Sequence, residues 1–148
     1  MNVAAEIEKL RAYCKENSIP LTQQRLEVYR ELIWSNEHPS PEDIYKRIRE
    51  RFSTISLATV YKNLDALTKI GFARKINPLS DHARYDSDLS SHSHFVCISC
   101  KMVEDIESEV IDGLQIPDPE NFEHEIKLKT IVFTGICHQC NNNTQEHN

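Results

Sequence analysis

The stretch SLATVYKNLDALTKIG, residues 56–71, decides the fold of the first half of this 148-residue chain. Its apolar residues recur at the three- and four-residue spacing that turns one stripe of a helix toward a core. Ser56 is a preferred N-cap residue, and Gly71 is the residue type that most often ends a helix. The predicted inner stripe comprises Leu57, Val60, Tyr61, Leu64 and Leu67.

Three further helices are predicted upstream of this stretch. Residues 4–17 place apolar side chains at helical spacing, and Thr22 caps a second apolar run. The tetrapeptide beginning at Ser40 combines a serine cap, a proline in the first turn and an acidic residue at the third position, which predicts a helix start. Two short β segments follow, residues 72–76 and 83–86, as a hairpin across Asn77-Pro78. Helices followed by a hairpin predict a winged helix-turn-helix domain over residues 1–87.

The second half, residues 88–148, has a different pattern. Strands are predicted at Ser93–Cys97 and Met102–Ile106, a short helix around 107–114, a long strand at His124–Ile136 and a disordered tail from Asn141. The last strand ends apolar on both faces, and such a strand needs cover on both sides. We therefore expect a small α/β dimerisation domain, which makes the whole chain α+β in class.

Composition limits the compartment and the partners. No apolar run approaches the roughly 18–20 residues of a membrane span, and the first residues have no signal-peptide pattern, so a cytoplasmic protein is expected. Residues 1–90 carry 14 Lys and Arg against 13 Asp and Glu, whereas residues 91–148 carry 3 against 10. Only the first half can contact a phosphate backbone, provided that its basic residues share one face.

Two Cys-x-x-Cys motifs are the most specific feature of the sequence: Cys97 with Cys100, and Cys137 with Cys140. Zinc prefers four soft ligands in a tetrahedron, and two such motifs supply four thiolates. A redox dithiol and unrelated thiols are the alternatives, although catalytic pairs usually stand singly at a helix start. Cys14 lies on a helical inner stripe and is predicted to be a core residue.

The histidines and carboxylates are weak signals when taken one at a time. His92 and His94 alternate on an extended segment, so both point to one side, yet such pairs are often ordinary surface or core residues. His38 precedes a proline in a loop, Asp86 lies in the predicted wing, and Asp105 is a strand-end acid. None of them alone indicates a site.

Taken together, these motifs closely resemble the ferric uptake regulator family over nearly the whole chain. The resemblance rests on their order and spacing, and the matching segments are residues 21–25 (LTQQR), 38–39 (HP), 58–64 (ATVYKNL), 71–72 (GF), 84–86 (RYD), 92–100 (HSHFVCISC) and 137–140 (CHQC). It implies a winged-helix domain, a dimerisation domain with a four-cysteine zinc site, and a regulatory metal held between the two.

Carried over by position, the resemblance implies that the regulatory metal is bound by His38, Asp86, His92, His94 and Asp105. Aspartate at positions 86 and 105 is similar to the peroxide regulator branch, whereas iron sensors tend to carry glutamate at position 86. Imidazoles with carboxylates suit Fe(II) or Mn(II). The resemblance then implies an oxidative stress response, in which peroxide and Fe(II) oxidise His38 or His92 and Mn(II) does not support that chemistry.

For DNA, the resemblance implies that Arg25 contacts a phosphate and that Tyr61 and Lys62 approach bases or backbone. Ser56, Thr59, Lys62 and Asn63 lie away from the apolar stripe, as expected for the polar face of a recognition helix in the major groove. Tyr61 lies beside that stripe, so a packing role is the alternative. Lys62 lacks the forked guanidinium that reads guanine, which leaves base reading there in doubt.

The favoured function is therefore a homodimeric, Fe- or Mn-dependent, peroxide-sensing repressor of palindromic operator DNA, and not an enzyme. The alternative within the family is an iron- or zinc-responsive repressor without peroxide sensing. A metallohydrolase would need a general base in a cleft, which the sequence does not indicate. A zinc-ribbon interaction module would leave the winged helix unexplained.

Overall fold

Four helices come first along the chain, in the computed structural model, and each begins at a capping side chain. They are α1 (Val3–Glu16), α2 (Gln23–Trp34), α3 (Pro41–Arg49) and α4 (Leu57–Lys69). The side chains of Asn2, Thr22, Ser40 and Ser56 accept hydrogen bonds from first-turn amides of the helix that follows. These bonds satisfy backbone donors that the helix itself leaves without partners. The three caps predicted from sequence, at residues 22, 40 and 56, are confirmed.

The structure describes residues 2–35, 37–76, 83–90, 92–115, 123–124, 129 and 131–145. Within them the chain separates into two compact units, Met1–Leu89 and Ser90–Asn148. No helix among the described residues has the length and apolar character to cross a membrane.

The first unit is built around one apolar core. α4 ends at a left-handed glycine, Gly71 with φ +76°, and the chain returns as a two-stranded antiparallel wing of β1 (Arg74–Ile76) and β2 (Arg84–Asp86). The predicted turn at Asn77-Pro78 lies outside the described residues. Core side chains come from every helix and from the wing, and include Leu10, Cys14, Leu32, Ile44, Ile48, Leu64, Leu67 and Tyr85. The winged helix-turn-helix prediction is confirmed, and Cys14 is a core residue as predicted.

The second unit contains a three-stranded sheet with the order β4-β3-β5. Its elements are β3 (Ser93–Cys97), β4 (Val103–Ile106), α5 (Glu109–Asp112), β5 (Val132–Gly135) and α6 (His138–Gln145). β3 is antiparallel to β4 and parallel to β5. The α+β class is confirmed.

The long strand predicted at His124–Ile136 is wrong in extent. Of the residues in that range that the structure describes, 124, 129 and 131–136, only Val132–Gly135 form a strand; residues 125–128 and 130 lie outside the described part of the chain. The reason is that a strand extends only as far as its partner, and the register of β5 with β3 runs from His94 opposite Val132 to Cys97 opposite Gly135.

The prediction of a disordered tail from Asn141 is also wrong for the residues that the structure describes there. Residues 138–145 form α6, and the amide of Asn141 donates to the carbonyl oxygen of Cys137 at 2.9 Å. A helical turn brings Cys140 back toward Cys137, which an extended tail would not do. Residues 146–148 lie outside the described part of the chain.

The left-handed backbone of Gly71 gives a test of how α4 is terminated. A Cβ added there would meet no atom within 4 Å, so Gly71→Ala should cost only the strain of the left-handed conformation, about 1–2 kcal/mol. Urea unfolding followed by far-UV circular dichroism measures this loss. Gly71→Asn is the matched control, because asparagine tolerates this conformation, and it should lose less. Equal stability of Gly71→Ala and wild type would contradict this account of the helix end.

Candidate metal centres and recognition helix

Four cysteine sulfurs converge in the second unit. Cys97 ends β3, Cys100 lies in the turn toward β4, Cys137 follows β5, and Cys140 lies in the first turn of α6. Their sulfur atoms all lie within 4.8 Å of one another, and those of Cys100 and Cys137 are 3.7 Å apart. None of these cysteines is in a disulfide. The parallel pairing of β3 with β5 produces this convergence, because it places Cys97 opposite Gly135, two residues before Cys137.

The dimensions of this cluster fit a tetrahedral zinc ion. A metal–sulfur distance of about 2.3 Å sets the sulfur–sulfur edges of a tetrahedron at about 3.8 Å, close to the separation of Cys100 and Cys137. The second motif does open a helix, which was expected of a redox pair. However, a redox dithiol uses two sulfurs, and this cluster brings together four. The four-cysteine cluster can therefore hold a zinc ion.

The backbone favours a thiolate at Cys97. The amide of Cys137 donates to its sulfur at 3.3 Å, and this bond, with others from the amides of Cys100 and Ser99, lowers the pKa of Cys97 to about 6. At Cys140 a hydrogen bond from Ser99 lowers the pKa, but interactions with Cys137 and Cys100 outweigh it and raise the pKa to about 11. A bound cation would displace the remaining thiol protons, because a metal is ligated by thiolates.

In the first unit, the wing holds Asp86 close to His38. Both residues are buried, and their ligand atoms lie within 4.8 Å of each other. The amide of Tyr85, next to Asp86, donates to the carbonyl oxygen of Pro39, next to His38, at 3.2 Å. The carboxylate of Asp86 also accepts a hydrogen bond of 2.7 Å from the amide of Asp88. Two potential ligands that are distant in sequence, one in the wing and one between α2 and α3, are therefore neighbours.

In the second unit, His92 and His94 point to the same side, as predicted. Their Nε2 atoms are 3.0 Å apart and both residues are buried. Asp105 lies opposite His94 in the β3–β4 register, and its Oδ1 is 3.5 Å from Nε2 of His92 and 3.4 Å from Nε2 of His94. Two imidazoles and a carboxylate are a donor set for Fe(II), Mn(II) or Zn(II).

The residues predicted to bind DNA occupy the N-terminal half of α4 and the start of α2. Ser56 and Lys62 are exposed, and Thr59 and Tyr61 are half-buried. Ser56 caps α4, and its hydroxyl is 2.8 Å from that of Thr59. The Tyr61 hydroxyl donates to Oε1 of Glu42 at 2.8 Å, and this bond raises the pKa of Tyr61.

The structure corrects the position assigned to Asn63. It is buried rather than on the polar face: its amide donates to the carbonyl oxygen of Thr59 at 2.9 Å, and its Oδ1 accepts from Nε of Arg25 at 3.4 Å. Arg25 also donates to the carbonyl oxygen of Pro20 at 2.7 Å. Arg25 therefore connects α2 to α4 and to the segment that precedes α2.

Sequence reasoning missed two polar partners. One is Glu42, which holds the Tyr61 hydroxyl. The other is Arg84, which donates to Oδ2 of Asp43 at 2.9 Å. The capping motif that begins at Ser40 predicts the start of α3. It does not reveal which side chains from other parts of the chain form hydrogen bonds with Glu42 and Asp43.

Known proteins resemble this chain along most of its length. The sequence profile of the ferric uptake regulator family matches residues 16–134. A ferric uptake regulation protein of Bacillus subtilis is 33% identical over 95% of this chain and 97% of its own length. A peroxide-responsive repressor of Staphylococcus epidermidis is 26% identical over 91% and 90%.

The solved structure of the Helicobacter pylori ferric uptake regulator, reported to have three functional metal binding sites, has a TM-score of 0.79 at 25% identity. The structural match covers 95% of this chain and 95% of the Helicobacter pylori chain. The extent of these matches, the sequence identity and the shared fold all indicate the same family, and the clusters described above could hold metal ions. This chain therefore belongs to the ferric uptake regulator family of metal-responsive transcriptional regulators.

Proposed function

We propose that this protein is a homodimeric repressor that binds palindromic operator DNA when a regulatory Fe(II) or Mn(II) ion is bound. The observation that carries the proposal is a pair of donor clusters, one in each unit: His38 with Asp86 in the first, and the two imidazoles with Asp105 in the second. Each cluster is incomplete as a metal site. A metal bound by both would link the two units, and ligand-dependent linkage is a means of shifting a DNA-binding conformation.

Zinc is proposed for the four-cysteine cluster, as a structural ion. A closed set of four thiolates leaves no position for substrate, and binding energy at such a site contributes to folding. The second unit exposes large apolar side chains, among them Val110, Leu114, Phe133 and Ile136. A second copy of the chain would cover such side chains, which supports a dimer built on this unit.

The first unit is proposed to contact DNA through the N-terminal half of α4 in the major groove. Lys62 is exposed there, and Arg25 fixes α4 relative to α2. A two-fold dimer selects two half-sites about one helical turn apart. The cytoplasm is the expected location of such a repressor.

Two signals are compatible with this repressor. Aspartates at positions 86 and 105 favour peroxide sensing, in which the chain's own ligands, His38 or His92, are oxidised and lose their affinity for metal. Peroxide is the two-electron oxidant in that reaction: one of its oxygen atoms is added to an imidazole carbon and the other leaves as water. A bound Fe(II) ion would catalyse this transfer. The 33% identity to the Bacillus subtilis ferric uptake regulation protein favours the alternative, an iron- or zinc-responsive repressor.

Zinc should copurify at about one ion per chain, because the four thiolates form a closed tetrahedral site. Cys97→Ser should lose the ion and weaken the dimer, as measured by elemental mass spectrometry and analytical ultracentrifugation. Cys14→Ala, which removes a sulfur outside the cluster, should retain both properties. A zinc-free Cys97→Ser dimer of wild-type stability would rule out a structural zinc.

Lys62→Ala should weaken binding to every operator sequence. The slope of the logarithm of the binding constant against the logarithm of the salt concentration should fall in magnitude by about 1, as expected when one phosphate contact is lost. Fluorescence anisotropy at several salt concentrations measures both quantities. Lys69→Ala is the matched control, since Lys69 is exposed at the opposite end of α4, and it should bind as wild type. If only Lys69→Ala weakens binding, the assigned DNA face of α4 is wrong.

Dilute peroxide should add single oxygen atoms to peptides that contain His38 or His92 when the protein carries Fe(II), because the oxidant forms beside these ligands. Peptide mass spectrometry detects the addition. Mn(II)-loaded protein should resist, and Asp86→Glu should blunt the oxidation while retaining metal-dependent DNA binding. If both histidines stay intact and the cysteines are oxidised, peroxide sensing fails and the iron- or zinc-responsive alternative stands.

A further inference from the structure

The backbone at His38 needs support from its surroundings. His38 has φ +47°, a left-handed conformation that is unfavourable for a residue with a Cβ. Such a conformation persists only where neighbouring structure determines it, and it is often found where function requires an exact side-chain direction. The segment that carries His38 connects α2 to α3, and its described residues, 35 and 37–40, belong to neither a helix nor a strand.

One carboxylate oxygen connects the segment that follows His38 to β2, the strand that carries both Arg84 and Asp86. Oδ2 of Asp43 accepts hydrogen bonds from the amide of Ser40 at 3.0 Å, from the hydroxyl of Ser40 at 2.7 Å and from Nη1 of Arg84 at 2.9 Å. Ser40 lies two residues after His38, and Arg84 lies two residues before Asp86. The hydrogen bond from the Tyr85 amide to Pro39 completes the connection.

The arginine is not needed for the helix cap. Ser40 and Asp43 form the reciprocal capping box of α3 by themselves, whereas Arg84 reaches it from the wing, 41 residues later. The side chains of Arg84 and Asp43 are 24% and 37% exposed, so water screens the ion pair and its contribution to folding stability is small. Its geometric effect is direct, because it sets the distance between two chain segments that each carry a ligand.

We propose that Arg84 and Asp43 are positioning residues, which hold His38 and Asp86 at the separation that the regulatory metal requires and thereby set its affinity. This inference rests on the proposed function, which assigns His38 and Asp86 as ligands of that metal. Residues outside the ligand set commonly change metal affinity by roughly 10- to 100-fold when they orient ligands.

The test is a Mn(II) titration of zinc-loaded, full-length protein, with free Mn(II) measured by electron paramagnetic resonance. Arg84→Met should bind Mn(II) roughly 10- to 100-fold more weakly than wild type, and Arg84→Lys should recover part of the loss. Asp43→Ala also removes the hydrogen bonds from Ser40, so it should weaken binding at least as much as Arg84→Met. The double variant should lose no more than Asp43→Ala alone, because the Arg84–Asp43 interaction is already absent there. Arg30→Met, which breaks the Arg30–Glu27 ion pair within α2, is the matched control and should bind as wild type.

Urea unfolding of the same variants distinguishes the positioning role from a merely structural one. That role would lower stability and leave Mn(II) affinity unchanged under conditions where the variant is folded. Wild-type affinity in Arg84→Met, while Asp86→Ala has lost Mn(II) binding, would overturn the positioning role and leave the proposed metal site intact. If Asp86→Ala itself binds as wild type, the proposed site fails and the positioning role fails with it.

Discussion

The convergence of four cysteine sulfurs is the constraint on which the second unit depends. Among the described residues of that unit, the buried apolar side chains are Cys97, Val103 and Cys137, and two of these belong to the cluster. A cation bound by these four thiolates would contribute its binding energy to the folding of this unit. The cluster fixes where β3 and β5 end and where α6 begins, and the exposed apolar side chains of this unit support the proposed dimer.

The first unit is stabilised differently, by an apolar core. Hydrogen bonds between polar side chains also connect α3 to α4 and to the wing. Glu42 and Asp43 are neighbours in the first turn of α3. Glu42 accepts a hydrogen bond from the hydroxyl of Tyr61 on α4, whereas Asp43 accepts one from Arg84 of the wing. One helical turn therefore contacts both α4, the proposed DNA-binding helix, and the wing strand that carries Asp86, a proposed ligand.

The helices of the first unit could be predicted because their signals are local. A capping side chain, an apolar stripe and a terminal glycine are all read within a few residues, and α4 follows them from Ser56 to Gly71. The cysteine cluster could be predicted because zinc chemistry requires four soft ligands. The histidines required the family resemblance, since His38 and Asp86 become neighbours only through the wing.

The failures of prediction concern partners that are distant in sequence. The extent of β5 is set by the length of β3, which no pattern within residues 124–136 reveals. α6 is short and polar, and its first turn is fixed by the cluster rather than by apolar periodicity. Asn63 occupies a polar position on the helical pattern, yet Arg25 of another helix draws it into the interior.

The position of the cluster in the chain also bears on how the protein is made. Every residue of the first unit is synthesised before any of the four clustered cysteines leaves the ribosome, and domains generally fold in order from the N-terminus. The first unit can thus form its core while the second unit still lacks Cys137 and Cys140. A metal ion bound by the four cysteines would therefore enter at a late stage of maturation, after the unit proposed to contact DNA has its shape.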